Sequence, residues 1–346
     1  MGSGASRGRA LRRGCRGGRI ATTGSGMTLL SIVRVAVSVA TLAIALPALA
    51  NDSSAELAAG GLVLTKSDTI AMWSEDLYIS EQAVRVRYVF ANTSAKDVTL
   101  RVAFPMPDIG GDGFFMSDVS IPVDDPANIL GFSTKVDGKA VKAQVEQKAM
   151  VGDVDRTAWL TANHIPLAVH QDAATAAMEA LPAAKRQEAI KLGLYDVDQG
   201  PIWVLKTTYH WLQTFPAGRS ITVEHNYTPS VGGTVATSVG TAYGAETMAR
   251  YCVEKDLAAR VKRDGGGDGS GYVEKWIDYV LVTGGNWKEP IGDFRLVVDK
   301  GAPANLISFC ASGVKKIGPT QFEVRRTNWR PDKDLSILLL VARPAP

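Results

Sequence analysis

Val84-Arg-Val-Arg-Tyr-Val-Phe-Ala-Asn92, followed after Thr93-Ser-Ala-Lys-Asp97 by Val98-Thr-Leu-Arg-Val-Ala-Phe-Pro105, alternates apolar and polar residues in two consecutive runs. A period of two sends successive side chains to opposite faces of a strand. Val84, Val86, Tyr88 and Phe90 therefore share one face and Arg85 and Arg87 the other; Val98, Leu100, Val102 and Phe104 likewise oppose Thr99 and Arg101. With turn-forming residues between them, the runs predict a β-hairpin with one buried face. Pro105 and Pro107 end the second strand, because neither can donate to a ladder. Keeping the apolar faces together pairs Phe90 with Val98 and sets Arg87 opposite Arg101, with Arg85 beside them. Like charges directly opposite each other destabilise a strand pair. The stripe of Arg85, Arg87 and Arg101 thus needs acids from Glu75, Asp76 or Glu81 in the preceding segment, or else marks a surface for an anionic ligand or partner protein.

Working outward, strand signals recur at Ile129–Val136 and Ala140–Glu146, separated by the turn pair Asp137-Gly138. From Asp172 to Leu192 the composition shifts to strong helix formers, with Pro182 placed to start a second helix and Gly193 to end it. Pro201–Pro229 reads as another hairpin, turning at Phe215-Pro-Ala-Gly-Arg219. Val231–Gly244 is low in charge, and Arg263–Gly271 reads as a glycine-rich loop. Five strands follow, at Trp276–Thr283, Phe294–Asp299, Leu306–Cys310, Phe322–Arg325 and Leu335–Val341. The last is apolar but far shorter than the roughly 20 residues of a membrane span, so it reads as a buried strand. The expected fold class is mainly β, with two β-sandwich-like antiparallel regions and a short helical insert. The first region covers residues 51–165, the insert 166–199, a hairpin region completing the first sandwich 200–245, and the second region 246–346.

The N-terminus carries a different signal. Val35-Ala-Val-Ser-Val-Ala-Thr-Leu-Ala-Ile-Ala-Leu46 follows Arg34 and leads into Pro47-Ala48-Leu49-Ala50, which has small residues at both positions of an A-x-A site. Residues 1–50 are expected to be an export signal cleaved after Ala50, with Met27 an alternative start, and the mature chain to be periplasmic or secreted without a membrane span. All seven arginines of that segment leave with it, which turns a net charge of +3 into a mature chain with 31 basic and 35 acidic residues. The basic footprint of a nucleic-acid binder is then missing. Cys252 and Cys310 are the two cysteines that remain, and neither sits in a C-x-x-C, so in an oxidising compartment they are expected to form one disulfide.

No residue pattern names a reaction. Thr283-Gly-Gly-Asn-Trp follows a strand, but Glu289-Pro290 stands where a nucleotide-binding helix would begin, and no cofactor is implied. There is no G-x-S-x-G and no metal signature. His164 and His170 are separated by Pro166 and share neither a helical face nor a regular strand. His225 has the parity of Ile221, Val223 and Tyr227, which makes it a core histidine, opposite Tyr209 or Trp211 in the expected hairpin. His210 has the other parity, and the same hairpin places Glu224 or Asn226 across from it, either as a polar surface pair or as an acid/base dyad.

Several stretches carry a family resemblance: Asn51-Asp-Ser-Ser-Ala-Glu-Leu-Ala-Ala-Gly-Gly-Leu62, Met72-Trp-Ser-Glu-Asp-Leu-Tyr-Ile-Ser80, Val102-Ala-Phe-Pro-Met-Pro107, Phe215-Pro-Ala-Gly218 with His225-Asn-Tyr-Thr-Pro229, and Thr283-Gly-Gly-Asn-Trp-Lys288 with Ile291-Gly-Asp-Phe-Arg-Leu296. Together they resemble the bacterial "domain of unknown function 4424" family over nearly all of residues 51–340. The resemblance implies an envelope location and brings no assigned activity. The first hundred or so mature residues also resemble, in pattern, the VIT-type β-sandwich of inter-alpha-trypsin inhibitor heavy chains and vault proteins. The expected role is a non-catalytic binding or envelope-assembly module, whose partner is an envelope protein or an anionic ligand. Two competing readings are a periplasmic hydrolase centred on His210 and Glu224, and a passive structural component.

Overall fold

The structure is a computed structural model that describes residues 51–58, 61–111, 118–265 and 269–343. The expected signal and its cleavage point lie outside the described residues, as do residues 266–268 of the expected glycine loop. The chain is mainly β, in line with the sequence. An eight-stranded sheet runs in the order Lys315–Lys316, Gln321–Trp329, Ile291–Asp299, Ile70–Ile79, Val84–Asn92, Ser220–Tyr227, Ser133–Val136, Lys139–Val141. Facing it, a seven-stranded sheet is built on Gln144–Val151, Val204–Phe215, Val98–Pro105 and Ser53–Ala58, with Val154–Asp155 and Gly61–Thr65 at its edges and Ile109–Gly110 beside Val204–Phe215. A five-stranded sheet takes the order Leu306–Phe309, Leu335–Ala342, Tyr272–Tyr279, Val231–Thr234, Asp118–Ser120.

The two expected hairpins are not hairpins. Val84–Asn92 pairs with Ile70–Ile79 and Ser220–Tyr227, whereas Val98–Pro105 pairs with Val204–Phe215 and Ser53–Ala58 in the other sheet. At Asn92–Asp97 and again at Phe215–Arg219 the chain crosses between the sheets. The two crossings lie side by side, joined by hydrogen bonds from Asn92 N to Arg219 O (3.0 Å) and from Gly218 N to Ser94 O (3.1 Å). Side-chain parity survives this change, because both inner faces point into the same core. Val84, Val86, Tyr88 and Phe90 are buried with Val102 and Phe104, while Val98 and Leu100 are half-buried. Rings meet across the gap: Phe90 lies 6.1 Å from Phe215, Phe132 stacks on Tyr209 at 4.3 Å, and Trp287 packs on Phe90 at 4.5 Å. Aromatic pairs at these separations add to the area they bury.

The last hundred residues contribute to two sheets. Ile291–Asp299 extends the eight-stranded sheet and runs parallel to Ile70–Ile79, while Tyr272–Tyr279 and Leu335–Ala342 centre the five-stranded one. Leu335–Ala342 is buried on both faces. Its Ile337 and Leu339 join the main core, and Leu338 and Leu340 join a second cluster with Val239, Tyr251 and Val261. Burial on both sides is what a continuous apolar run in a strand requires.

The insert forms helices Asp172–Glu179 and Ala183–Lys191, with Pro182 as the cap of the second and Gly193 past its end at a φ of +72°. Two helices that the pattern did not signal, Ala245–Arg250 and Lys255–Asp264, open the last region ahead of its strands and run through the start of the expected glycine loop. Cys252, just after the first of these, is bonded to Cys310 at the end of Leu306–Phe309, with Cα atoms 5.0 Å apart. The expected disulfide is present.

Candidate functional site

The outer face of the eight-stranded sheet carries a row of charges set by strand register. Lys135 is opposite Glu224, Glu224 opposite Arg87, Arg87 opposite Asp76, and Asp76 opposite Arg295. Strand parity puts them there, since their neighbours Val86, Leu77 and Val223 point into the core. Opposite charges directly across a strand pair stabilise it, and this row alternates in sign. Arg87 Nε lies 3.6 Å from Glu224, with both side chains about half exposed. Arg295 binds Asp76 at 3.2 Å and Glu323 at 2.8 Å.

Two cations, one beside this row and one at its end, make no close ion pair. Arg85, opposite Tyr78 and Asn226, stacks its guanidinium over the Tyr78 ring at 4.3 Å, and Lys135 is exposed beside Glu224. Neither has a carboxylate within 4 Å among the described residues. With Ser133 and Asn226 these groups line a groove of about 430 Å³. It holds four cations, Arg85, Arg87, Lys135 and Arg295, against two carboxylates, Asp76 and Glu224.

The expected stripe is therefore divided. Arg85 and Arg87 share the groove, but Arg101 lies on the seven-stranded sheet opposite Leu212 and Ala55. There its Nη1 contacts His210 Nδ1 at 2.9 Å and Gln144 Oε1 at 3.5 Å. A guanidinium can only donate, so Nδ1 accepts and the His210 proton sits on Nε2. Burial pulls the His210 pKa down, and the Arg101 charge pulls it further. His210 faces Ala103 and Gln144, and Glu224 faces Arg87 and Lys135 in the other sheet, so the acid/base dyad is not formed. Of the expected acids, Asp76 reaches the stripe, Glu81 binds Lys275 instead, and Glu75 points into the core.

The interior holds a second polar constellation, which strand parity did not reveal. His225 is a core residue as expected, but it lies opposite Val86 and Thr134, with the Trp211 ring 5.5 Å away across the sandwich. Its Nε2 stands 3.0 Å from Asp52 Oδ1. Asn51 Nδ2 donates to Glu75 Oε2 at 3.2 Å, Tyr88 OH donates to Asn51 Oδ1, and Trp287 Nε1 donates to the Asp52 carbonyl at 2.9 Å. Tyr279 OH is 3.1 Å from Tyr88 OH. Burial raises the Asp52 pKa, with His225 opposing it. Burial also pushes the Glu75 carboxyl up to about 8; the Asn51 hydrogen bond opposes that rise and the Asp52 charge adds to it. These residues come from separate stretches of the sequence, which the fold brings together at one point.

Among the described residues no group of three or more His, Cys, Asp or Glu side chains could hold a metal ion, and no described helix is long and apolar enough to cross a membrane. No curated protein matches the chain. Among solved structures, it is similar to a Legionella pneumophila subsp. pneumophila str. Philadelphia 1 protein named as a "putative nutrient binding protein", with 17% identity, a TM-score of 0.46, and coverage of 84% of this chain and 70% of that one. One family model matches residues 50–338, and the chain belongs to that family, the Domain of unknown function (DUF4424).

Proposed function

We propose that the mature chain is an exported, periplasmic, non-catalytic binding module that takes a multivalent oxyanion, carboxylate or phosphate, in the groove on its eight-stranded sheet. One observation carries this reading: four cations line the groove against two carboxylates, and among the described residues Arg85 and Lys135 have no carboxylate within 4 Å. Four cations converge on this one groove, so an anion entering it meets positive charge already placed. Export is supported by the A-x-A run ending at Ala50 and by the disulfide, which belongs to oxidising compartments.

An NMR titration of the mature chain with citrate and with pyrophosphate at low ionic strength tests the reading. Side-chain shifts at Arg85, Arg87 and Lys135 are expected. Shifts centred on Arg101 and His210 instead would contradict it, and the two probes distinguish carboxylate from phosphate ligands.

A further inference from the structure

Asn51 is the residue that cleavage after Ala50 would make the N-terminus, yet it is fully buried in the polar constellation. Its carbonyl accepts from Thr283 Oγ1 at 2.8 Å, and its side chain reaches Glu75 and the Leu281 carbonyl. The neighbouring Asp52 carboxyl is held at His225. Two buried carboxyl groups thus sit together, and Asp52 Oδ2 and Glu75 Oε1 have no hydrogen-bond partner among the described residues. Buried charges require pairing, and buried acceptors left unmade are costly. The cluster's basic group, His225, serves Asp52, so among the described residues no positive charge faces Glu75. Its other titratable members, Tyr88 and Tyr279, are held neutral by burial.

We propose that export processing supplies the missing group: the α-ammonium of Asn51, freed by cleavage after Ala50, pairs with Glu75 and lies beside Asp52, so that removal of the signal completes the core. The proposal rests on the export reading. In the cleavage an endopeptidase adds water across the Ala50–Asn51 amide; the C–N bond breaks, hydroxide joins the Ala50 carbonyl carbon and the remaining proton makes the Asn51 nitrogen an amine, which then takes the proton shed by the new Ala50 carboxyl group and becomes the ammonium. That nitrogen belongs to the residue whose side chain already touches Glu75. While the amide is intact the same atom is uncharged and offers a single hydrogen, so Glu75 keeps its own proton up to about pH 8, whereas the ammonium of the processed chain lets it ionise as a paired carboxylate.

The test compares two purified chains, one starting at Asn51 and one retaining Ala50, each with and without Glu75→Gln. The Asn51-initiated chain is expected to melt at least about 3 °C higher than the Ala50 chain. That difference is expected to vanish in the Glu75→Gln pair. Equal melting of the first two chains, or a difference undiminished by Glu75→Gln, overturns the proposal. A second readout does not depend on that variant folding: the α-amine of the native Asn51-initiated chain should resist acylation and become reactive on unfolding, and equal reactivity in both states overturns the proposal. The intact mass of protein recovered from periplasm tests the export reading separately. An N-terminus other than Asn51 refutes the cleavage position, whatever the melting comparison gives.

Discussion

The backbone nitrogen of Asn92 donates to the carbonyl oxygen of Arg219 across 3.0 Å, binding together the two places where the chain passes from one sheet of the sandwich to the other. Asn92 is 2% exposed, and its Nδ2 donates to the carbonyls of Lys96 and Phe215, both at 2.8 Å, while its Oδ1 accepts from Ser94 N at 2.9 Å. Replacing it with Ala would strand the Phe215 carbonyl in the interior. Asn92→Ala is expected to destabilise the fold by about 2–3 kcal/mol, measured by urea unfolding. A loss below about 0.5 kcal/mol would mean the crossings hold without it.

The Cys252–Cys310 bond closes a loop with a sequence separation of 58. In the chain-entropy account a loop of that length is worth about 4 kcal/mol. The Cys252→Ala/Cys310→Ala double variant should therefore melt well below the oxidised protein, while retaining anion binding at a groove formed by other strands. Lost binding in a folded double variant would contradict that separation.

Glu75 gives a pH dependence of defined sign in a chain that keeps the Ala50–Asn51 amide. Its folded pKa of about 8 lies above its ordinary 4.5, so the native state keeps a proton that the unfolded chain releases. Stability from this group is full below pH 4.5 and falls as pH rises through 8. The groups around it are Asp52, Tyr88 and Tyr279, with His225 against Asp52. Glu75→Gln should remove a stability loss on the order of 4 kcal/mol between pH 5 and pH 8. Urea unfolding at the two pH values checks this, and an unchanged slope in the variant would contradict it.

Glu224 competes with an incoming anion for Arg87. The two are 3.6 Å apart and about half exposed, so the pair adds little to stability. Glu224→Gln should change stability by less than about 0.5 kcal/mol and tighten oxyanion binding by roughly threefold. Weaker binding in this variant would place the ligand elsewhere.

Alternation in Val84–Phe104 tells which faces are buried and puts Arg85 and Arg87 outside, and the parity of His225 with Ile221, Val223 and Tyr227 puts it in the core. Such parity could not tell which strand lies beside which. An arch between facing sheets and a hairpin within one sheet need the same parity, and the partner of Val84–Asn92 is Ser220–Tyr227, far along the chain. That is why Arg101 was grouped with Arg87 and His210 with Glu224. The contact of His225 with Asp52 spans 173 residues, and no local pattern encodes it. The disulfide was legible because two cysteines remain after residue 50. Helices Ala245–Arg250 and Lys255–Asp264 escaped notice because the first buries no residue and the second buries only Ala258 and Val261.

The central claim is that the unneutralised cations of the groove bind an oxyanion, and calorimetric titration of the mature chain against its Arg85→Ala/Lys135→Ala variant tests it most directly. With citrate or pyrophosphate at low ionic strength, the double variant should bind at least about tenfold more weakly, a loss of about 1.4 kcal/mol, at unchanged melting temperature. Binding by the parent should also weaken as salt is raised. Equal affinity of the two proteins for both anions, or no binding by either, would contradict the account.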